Sequence, residues 1–338
     1  METLIAMDVH KRTSTIAALD PSTGEVVIIK AYTDRNDLAR KLSSLPKPWV
    51  VAVEASRHSP PVCNWLQSFG AEVKLVHPQR LAELIKLRAA KTDEGDAETI
   101  LYLMRGDMLP ECYLAPEEVA ELRALTRGRN SLREMATKAR NIIHALLAQG
   151  GIILERSDLR GKAAREELAE LIDKLGDLTG LMAGLFVTLL DDIEEIIKVV
   201  ESEIDQQVEQ HPVAKELASW DGTGNVLALS VVAELGDIRR FPHYKNLFSY
   251  GGLVPRISQS GDSKHDGELP KYCNRHLRRV AVQAAQCMVM CNADSKAKAT
   301  YKRLAGHKGA NTAKIAAARK VLLDVYFAWH QIIADQAA

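Results

Sequence analysis

The chain has 338 residues, enough for two or three domains, and 46% of them are apolar, an ordinary share for a folded protein rather than a disordered one. Its 44 Lys/Arg balance 44 Asp/Glu, which excludes a uniformly basic or acidic chain. Five cysteines without zinc-finger spacing exclude a disulfide scaffold, and no apolar run reaches the ~18 residues of a membrane span. The expectation is a soluble cytoplasmic protein with no membrane partner.

The charge is unevenly placed. Arg239 to Lys320 carries 17 Lys/Arg against 4 Asp/Glu, whereas Glu155 to Glu209 carries 6 against 15. A basic third inside a neutral chain is the footprint of a polyanion-binding surface, although solvated basic faces are common.

In chain order, residues 3–9 read as a first strand, Thr13 to Leu19 as a second and Val26 to Ala31 as a third. The Asp20–Gly24 turn lies between the last two. Asn36 to Leu42 reads as a helix capped by Asp34 or Asn36. Val50-Val51-Ala52-Val53 leads into Glu54 as a buried strand. A short helix over Val62 to Phe69, a strand over Ala71 to Val76 and a helix opened by Pro78 follow. Three hairpin strands followed by alternating helices and strands predict an α/β class and describe a ribonuclease-H-like sheet.

Four acids stand out. Asp8 and Glu54 end apolar strands, which puts them at a sheet rim, where α/β folds keep their sites. In Lys91-Thr92-Asp93-Glu94-Gly95-Asp96-Ala97, Asp93 and Asp96 are three residues apart at the start of a helical pattern. A lone Asp-x-x-Asp is ordinarily just a helix N-terminus decorated with acids. Together with Asp8 and Glu54 it becomes a set of hard oxygen ligands suited to Mg²⁺, the apparatus of metal-assisted phosphoryl transfer.

Beyond Pro116, a helical stripe runs from Val119 to Leu146, with Arg127, Arg129, Arg133 and Arg140 off the stripe. They are expected either on a solvated face or against a nucleic-acid backbone. From Leu168 to Ile204 apolar residues recur at steps of three and four, with acids opposite. This predicts a long helix, or two broken near Gly176 to Gly184, with a coiled-coil seam. The seam is expected to pack on the Val119–Leu146 helix, to form a dimer interface, or both. Trp220 to Asn225 reads as a glycine turn between two short helices, with Gly222 and Gly224 able to leave backbone N–H groups for a phosphate. Phe241, Leu247, Phe248 and Tyr250 read as core. Gly252 to Gly261 reads as a loop, and on chemistry alone Ser260 there is one serine among many. Lys271, Arg275, Arg278 and Arg279 form a basic cluster, and two helices, Val280 to Met290 and Ala313 to Ile333, close the chain.

Assembled, these motifs resemble the Asp-Glu-Asp-Asp transposases of the insertion sequence 110 family over nearly the whole chain. Asp8-Val9-His10-Lys11, Glu54 with Val76-His77-Pro78, and Lys91 to Ala97 resemble its acidic motifs. Trp220 to Phe241, including Ala233 to Asp237, resembles its helix-hairpin-helix. Gly252-Leu253-Val254-Pro255 with Ser260-Gly261, and Asn274 to Arg278, resemble its transposase-domain signature. The resemblance implies a RuvC-like domain over residues 1–150, a coiled coil over 151–211 and a mostly helical transposase domain over 212–338. It implies a tetrad of Asp8, Glu54, Asp93 and Asp96 holding one or two Mg²⁺ ions, with Mn²⁺ as a substitute, and Ser260 (or Ser258, two residues away) as a nucleophile forming a covalent phosphoserine link. Implied partners are element-end and target DNA, an element-encoded guide RNA, and further copies of the chain as a homodimer or homotetramer. Nucleic-acid contacts are expected from Lys11, Lys91, Arg127, Arg129, Arg133, Arg140, Gly222, Gly224, Lys271, Arg275, Arg278 and Arg279. The competing readings are a RuvC-like nuclease that uses water and a non-catalytic nucleic-acid scaffold. Two departures from the family pattern are Ala55-Ser56 after Glu54 and Cys273 before Asn274.

Overall fold

The structure is a computed structural model that describes residues 2–85, 93–156, 159–255, 257–260, 263–291 and 294–337. The chain divides into two compact units, Met1–Ala115 and Pro116–Ala338. The sequence reading carries the first domain to about residue 150, with the long helix from about 116 included; by compactness that helix goes with the second unit, because it packs on later helices.

The first unit holds a six-stranded sheet. Its strands are β1 (Thr3–Val9), β2 (Thr13–Leu19), β3 (Val26–Tyr32), β4 (Trp49–Glu54), β5 (Glu72–Val76) and the two-residue β6 (Glu111–Cys112), in the order β3-β2-β1-β4-β5-β6. The first three strands form an antiparallel meander, and β1, β4 and β5 run parallel. Strand alternation sorts the two faces. Ile5, Met7, Val9, Val51 and Val53 pack with Leu38 and Leu42 of α1 (Arg35–Leu42) and with Val62, Cys63 and Leu66 of α2 (Ser59–Ser68). Asp34 caps α1, accepting from the Asn36 and Asp37 amides at 3.0 and 2.9 Å.

The opposite face has a different texture. Ala17, Ala6 and Ala52 lie side by side across β2, β1 and β4. Three adjacent alanines leave a shallow floor on which a helix can sit close. That helix is α4 (Asp93–Arg105), whose Ala97, Ile100 and Leu101 join the alanines in one buried cluster with Val76 and with Leu81 of α3 (Pro78–Ile85).

The second unit is helical. Its long helices α5 (Glu117–Gln149) and α7 (Asp177–Gln210) pair antiparallel, with α6 (Lys162–Ile172) beside them. Ala136, Ala139, Ile143 and Leu147 of α5 meet Leu190, Ile193 and Ile197 of α7. The break before α7 falls at Gly176, as the sequence allowed. The 3/4 seam, however, splits. Leu178, Met182, Leu185, Leu189 and Ile196 are exposed, while a neighbouring stripe is buried.

Beyond α7 come α8 (Pro212–Ala218), α9 (Asn225–Leu235), a 3₁₀ turn (Ile238–Arg240) and α10 (Tyr244–Tyr250). A β-hairpin of β7 (Ile257–Ser260) and β8 (Ser263–Asp266) follows, then α11 (Arg275–Met290), α12 (Lys296–Lys308) and α13 (Ala310–Ala337). Every residue of α9 from Leu227 to Leu235 is buried, so α9 is the central rod of this unit, with α5, α7, α8 and α11 packed around it. Phe241 and Leu247 are core and Phe248 and Tyr250 pack against it, as read from sequence. Among the described residues no helix is long and apolar enough to cross a membrane.

Candidate active site

Asp8 is one residue past Met7, which pairs with Val53, so the β1–β4 register puts Asp8 beside Glu54 on the next strand. Period-two alternation places Asp8 on the face of Ala6 and Glu54 on the face of Ala52, the face covered by α4. Asp93 is the first residue of α4 and Asp96 the fourth, directly before buried Ala97. The side chains of Asp93 and Asp96, and all of Lys91, lie outside the described residues. Strand register thus brings Asp8 and Glu54 side by side on the face that α4 covers, and Asp93 and Asp96 lie in the first turn of that helix.

The rim around the acids is ordered. His10 Nε2 lies 3.2 Å from Asp8 Oδ2, with the Asp8 side chain 15% exposed and the imidazole about half exposed. After Glu54 the chain turns through Ser56, whose amide donates to Ser59 Oγ at 3.0 Å, while Ser59 Oγ donates to Ser56 O at 3.0 Å. The hydroxyls therefore close the turn at the first departure from the family pattern, Ala55-Ser56. His77, next to the Val76 that pairs with Glu54, has its pKa pushed down by burial and then by Arg80, which favours the neutral imidazole. Two carboxylates on adjacent strands are hard oxygen donors, the kind Mg²⁺ takes. Among the described residues no group of three or more His, Cys, Asp or Glu side chains could hold a metal.

In the second unit, the segment expected to be a loop is a hairpin. Ser258 pairs with His265 and Ser260 with Ser263, and Ser260 is the last residue of β7. The side chains of Ser258 and Ser260 lie outside the described residues. The base of the hairpin is tightly tied. The Asn274 amide donates to Tyr250 O at 2.8 Å. Arg278 donates from Nη2 to Pro270 O at 2.6 Å and to Cys273 Sγ at 3.0 Å, and from Nε to Gly251 O at 3.3 Å. Cys273, the second departure from the family pattern, is thus a partner of Arg278. Gly252 has φ +63°, and a Cβ there would run into Arg278 Nη2 and Cys273 Sγ, so only glycine fits.

A buried carboxylate, which the sequence showed only as part of a motif, holds this region together. Glu234 is 1% exposed. Arg127 Nε and Nη2 donate to its two oxygens at 2.7 Å each, and Asn274 Nδ2 donates to Oε2 at 2.8 Å. Asn274 Nδ2 also reaches the Tyr250 hydroxyl at 3.1 Å, and Asn274 Oδ1 caps α11 by accepting from the Leu277 amide at 2.9 Å. Burial alone would raise the Glu234 pKa. The hydrogen bonds from Arg127 and Asn274 and the charges of Arg127 and Arg123 outweigh it and hold the carboxyl below the usual glutamate range. Arg123 Nε and Nη2 donate to Ala233 O and Glu234 O at 2.8 and 2.9 Å, satisfying carbonyls at the C-terminus of α9.

The α5 arginines, expected on a solvated face or against a nucleic-acid backbone, are paired within the unit. Arg127 is bound to Glu234. Arg129 donates to Glu201 at 2.9 Å, Arg133 to Glu194 at 2.9 Å and to Glu201 at 3.1 Å, and Arg140 to Glu194 at 3.5 Å. The basic face of α5 is neutralised by the acidic face of α7. Arg278 is tied to the hairpin base as above, and Arg279 to Glu134. Gly222, with φ +83°, packs where a Cβ would meet the Met288 amide nitrogen at 2.8 Å, so close helix approach accounts for it, and Gly224 is the N-cap of α9. Lys11, Lys271 and Arg275 are exposed.

Comparison with known proteins bears on both regions. A DEDD-type IS110 transposase model, described as "Transposase", matches residues 5–151, and the model of the "Transposase IS116/IS110/IS902 family" matches residues 214–302. The chain belongs to the IS110 family of insertion-sequence transposases. The first match spans all four acidic positions and the second spans Glu234, Gly252, Ser260 and Asn274. The transposase is 26% identical over 324 residues to a probable family 20 transposase of Pseudomonas aeruginosa, covering 94% of this chain and 93% of that protein. It is 27% identical to the transposase for insertion sequence element IS1328 of Yersinia enterocolitica, over 84% of this chain and 83% of that one. It is 26% identical to the transposase for IS1111A of Coxiella burnetii, over 94% and 86%. A DEDD-type domain suggests divalent-metal use, and the family suggests a DNA-processing enzyme.

Proposed function

We propose that this transposase cuts and rejoins DNA at the ends of its element by transesterification through a serine, assisted by divalent metal at the acidic face of a RuvC-like, ribonuclease-H-like sheet. The observation that carries the reading is the Asp8–Glu54 pair on adjacent parallel strands, on the face covered by the helix that begins at Asp93. Asp8, Glu54, Asp93 and Asp96 would hold Mg²⁺, which when bound polarises the phosphodiester and eases departure of its leaving oxygen. Lys11 lies in the same motif as Asp8 and offers charge to the strand.

The serine supplies the nucleophile. Ser260 Oγ attacks phosphorus, a base takes the serine proton, and the sugar oxygen leaves and takes up a proton in turn to become a hydroxyl. One phosphoester bond forms as one breaks, so a hydroxyl of another strand can reverse the step without ATP. Ser258 is the alternative nucleophile in the same strand. The acids and the serine belong to different compact units, so the reaction requires that the units, or two copies of the chain, bring them together. The exposed aliphatic stripe of α7 supplies a contact for a homodimer or homotetramer. An element-encoded RNA remains part of the proposal through the basic third of the chain, with Lys271 and Arg275 as its exposed cations.

The test is strand cleavage of element-end DNA as a function of Mg²⁺, with Asp8→Asn, Glu54→Gln, Asp93→Asn and Asp96→Asn. Loss of cleavage in each variant, with DNA binding retained, is expected. Cleavage that survives both strand variants would refute the placement of the site.

A further inference from the structure

Two exposed apolar surfaces of the second unit differ in chemistry. The stripe on α7 is aliphatic and is bordered by Asp191, Asp192 and Glu195. The other is aromatic. Where α10 meets α13, six rings adjoin. Tyr244 lies 4.1 Å from His243, 5.5 Å from Phe248, 6.3 Å from Tyr326 and 6.2 Å from Phe327, centroid to centroid. Tyr326 lies 5.5 Å from Phe327 and 4.5 Å from His330. Aromatic residues make up only 5% of the chain, so composition does not produce this convergence.

Phe327 is 56% exposed, which a purely structural ring cluster does not need. The rings behind it are fixed. The Tyr326 hydroxyl reaches Phe241 O at 3.3 Å and Pro242 O at 3.4 Å, and His243 Nδ1 accepts from the Lys245 amide at 3.1 Å. A pre-set ring loses little freedom when a flat partner stacks on it.

The charge around the rings is positive. Lys245 is exposed and has no ion-pair partner among the described residues. Lys320 is seven residues before Phe327, two turns back on the same side of α13. From Lys296 to Leu323 there are eight Lys/Arg and no Asp/Glu. The nearby acids are already engaged, Asp324 with Lys296 at 2.8 Å and Asp237 with Arg239. Aromatic faces among lysines match a nucleobase on its phosphate strand, whereas the acid-rimmed aliphatic stripe of α7 does not.

We propose that the Tyr244–Tyr326–Phe327 cluster is a stacking platform for an unpaired nucleobase of a single strand, with Lys245 and Lys320 taking the neighbouring phosphates. The inference rests on this chain handling nucleic acid and is independent of the serine chemistry. The strand is a separated DNA strand or a single-stranded RNA segment, and both offer an unpaired base with a flat face to stack.

The test is fluorescence anisotropy of the full chain with labelled oligothymidylate, oligouridylate and an abasic DNA strand of equal length. Wild type binds the strands with bases more tightly than the abasic one. Phe327→Ala weakens base-containing strands about 5- to 30-fold and leaves the abasic strand unchanged, while Phe327→Tyr keeps wild-type affinity. Lys245→Ala weakens all three strands and lowers the salt dependence. A larger loss on oligouridylate than on oligothymidylate assigns the platform to RNA, and the reverse assigns it to DNA. The readout is equilibrium binding with no strand cleavage, so a failed serine mechanism leaves this result standing. Equal affinity of Phe327→Ala and wild type, an equal loss on the abasic strand, no single-strand binding by wild type, or a change in oligomeric state alone would overturn the proposal.

Discussion

Replacing Glu234 by alanine probes the interior of the second unit at the point where it joins α5 to the segments on either side of the β7–β8 hairpin. The side chain is a buried carboxylate gripped by a bidentate arginine and an asparagine. Removing one partner of a buried ion pair costs about 3–5 kcal/mol because the other charge is stranded. The Arg127 side chain is 39% exposed, so water recovers part of its solvation, and Asn274 keeps the Tyr250 hydroxyl. The expected loss is therefore about 2–3 kcal/mol at pH 7, or roughly 5–12 °C in the melting of a unit this size. Because the carboxyl is held below the ordinary glutamate pKa, its contribution is full above the unfolded value of about 4.3 and is lost as pH falls towards the native value. Glu234→Gln should remove that part of the acid destabilisation. Urea unfolding between pH 3 and 7 measures both effects, and the double change Arg127→Met with Glu234→Met should recover most of the loss. A loss under about 1 kcal/mol for Glu234→Ala, or the same acid slope in Glu234→Gln as in wild type, would refute the reasoning.

The remaining predictions use the same structure. Ala52→Leu fills the alanine floor under α4 and should cost about 1–3 kcal/mol by overpacking, with cleavage falling further than stability because the Asp93 turn is displaced; equal losses in melting and activity assays would count against it. Gly252→Ala places a Cβ into Arg278 and Cys273 at positive φ and should destabilise by roughly 1–3 kcal/mol, read by thermal melting, while Gly251→Ala, whose Cβ meets only side-chain and carbonyl atoms at 3.5–3.6 Å, should be milder. Leu185→Glu with Leu189→Glu should lower the oligomeric state in light scattering and leave melting of the monomer near wild type, since both side chains are about half exposed.

The first unit was legible because its strands are continuous apolar runs, and continuous burial on both faces is what the sheet gives them. Asp8 and Glu54 could be read as strand-end acids from the runs before them. That they are neighbours required the register, which no run length encodes. β6 is two residues long and carries no pattern. The β7–β8 hairpin is Ile-Ser-Gln-Ser and Ser-Lys-His-Asp, with no apolar alternation, so it read as a loop. The α5 arginines could be read as a solvated face or a nucleic-acid face, and their ion pairs were not legible because Glu194 and Glu201 are 54 to 72 residues away in sequence. Glu234 was visible only as a motif letter. An acid at the end of an otherwise apolar helix was the available signal, and a buried acid demands a partner. The α7 seam is split by packing: Ile193 and Ile204 are buried, while Leu178, Met182, Leu185, Leu189 and Ile196 stay exposed.

The most direct test of the central claim is covalent trapping. The transposase is mixed with element-end DNA, any co-encoded RNA and Mg²⁺, then resolved on a denaturing gel beside Ser260→Ala, Ser258→Ala and Asp8→Asn. A protein–DNA adduct present in wild type and Ser258→Ala but lost in Ser260→Ala and Asp8→Asn is the predicted result. Nicked DNA with no adduct from any variant would contradict it and leave a nuclease that uses water.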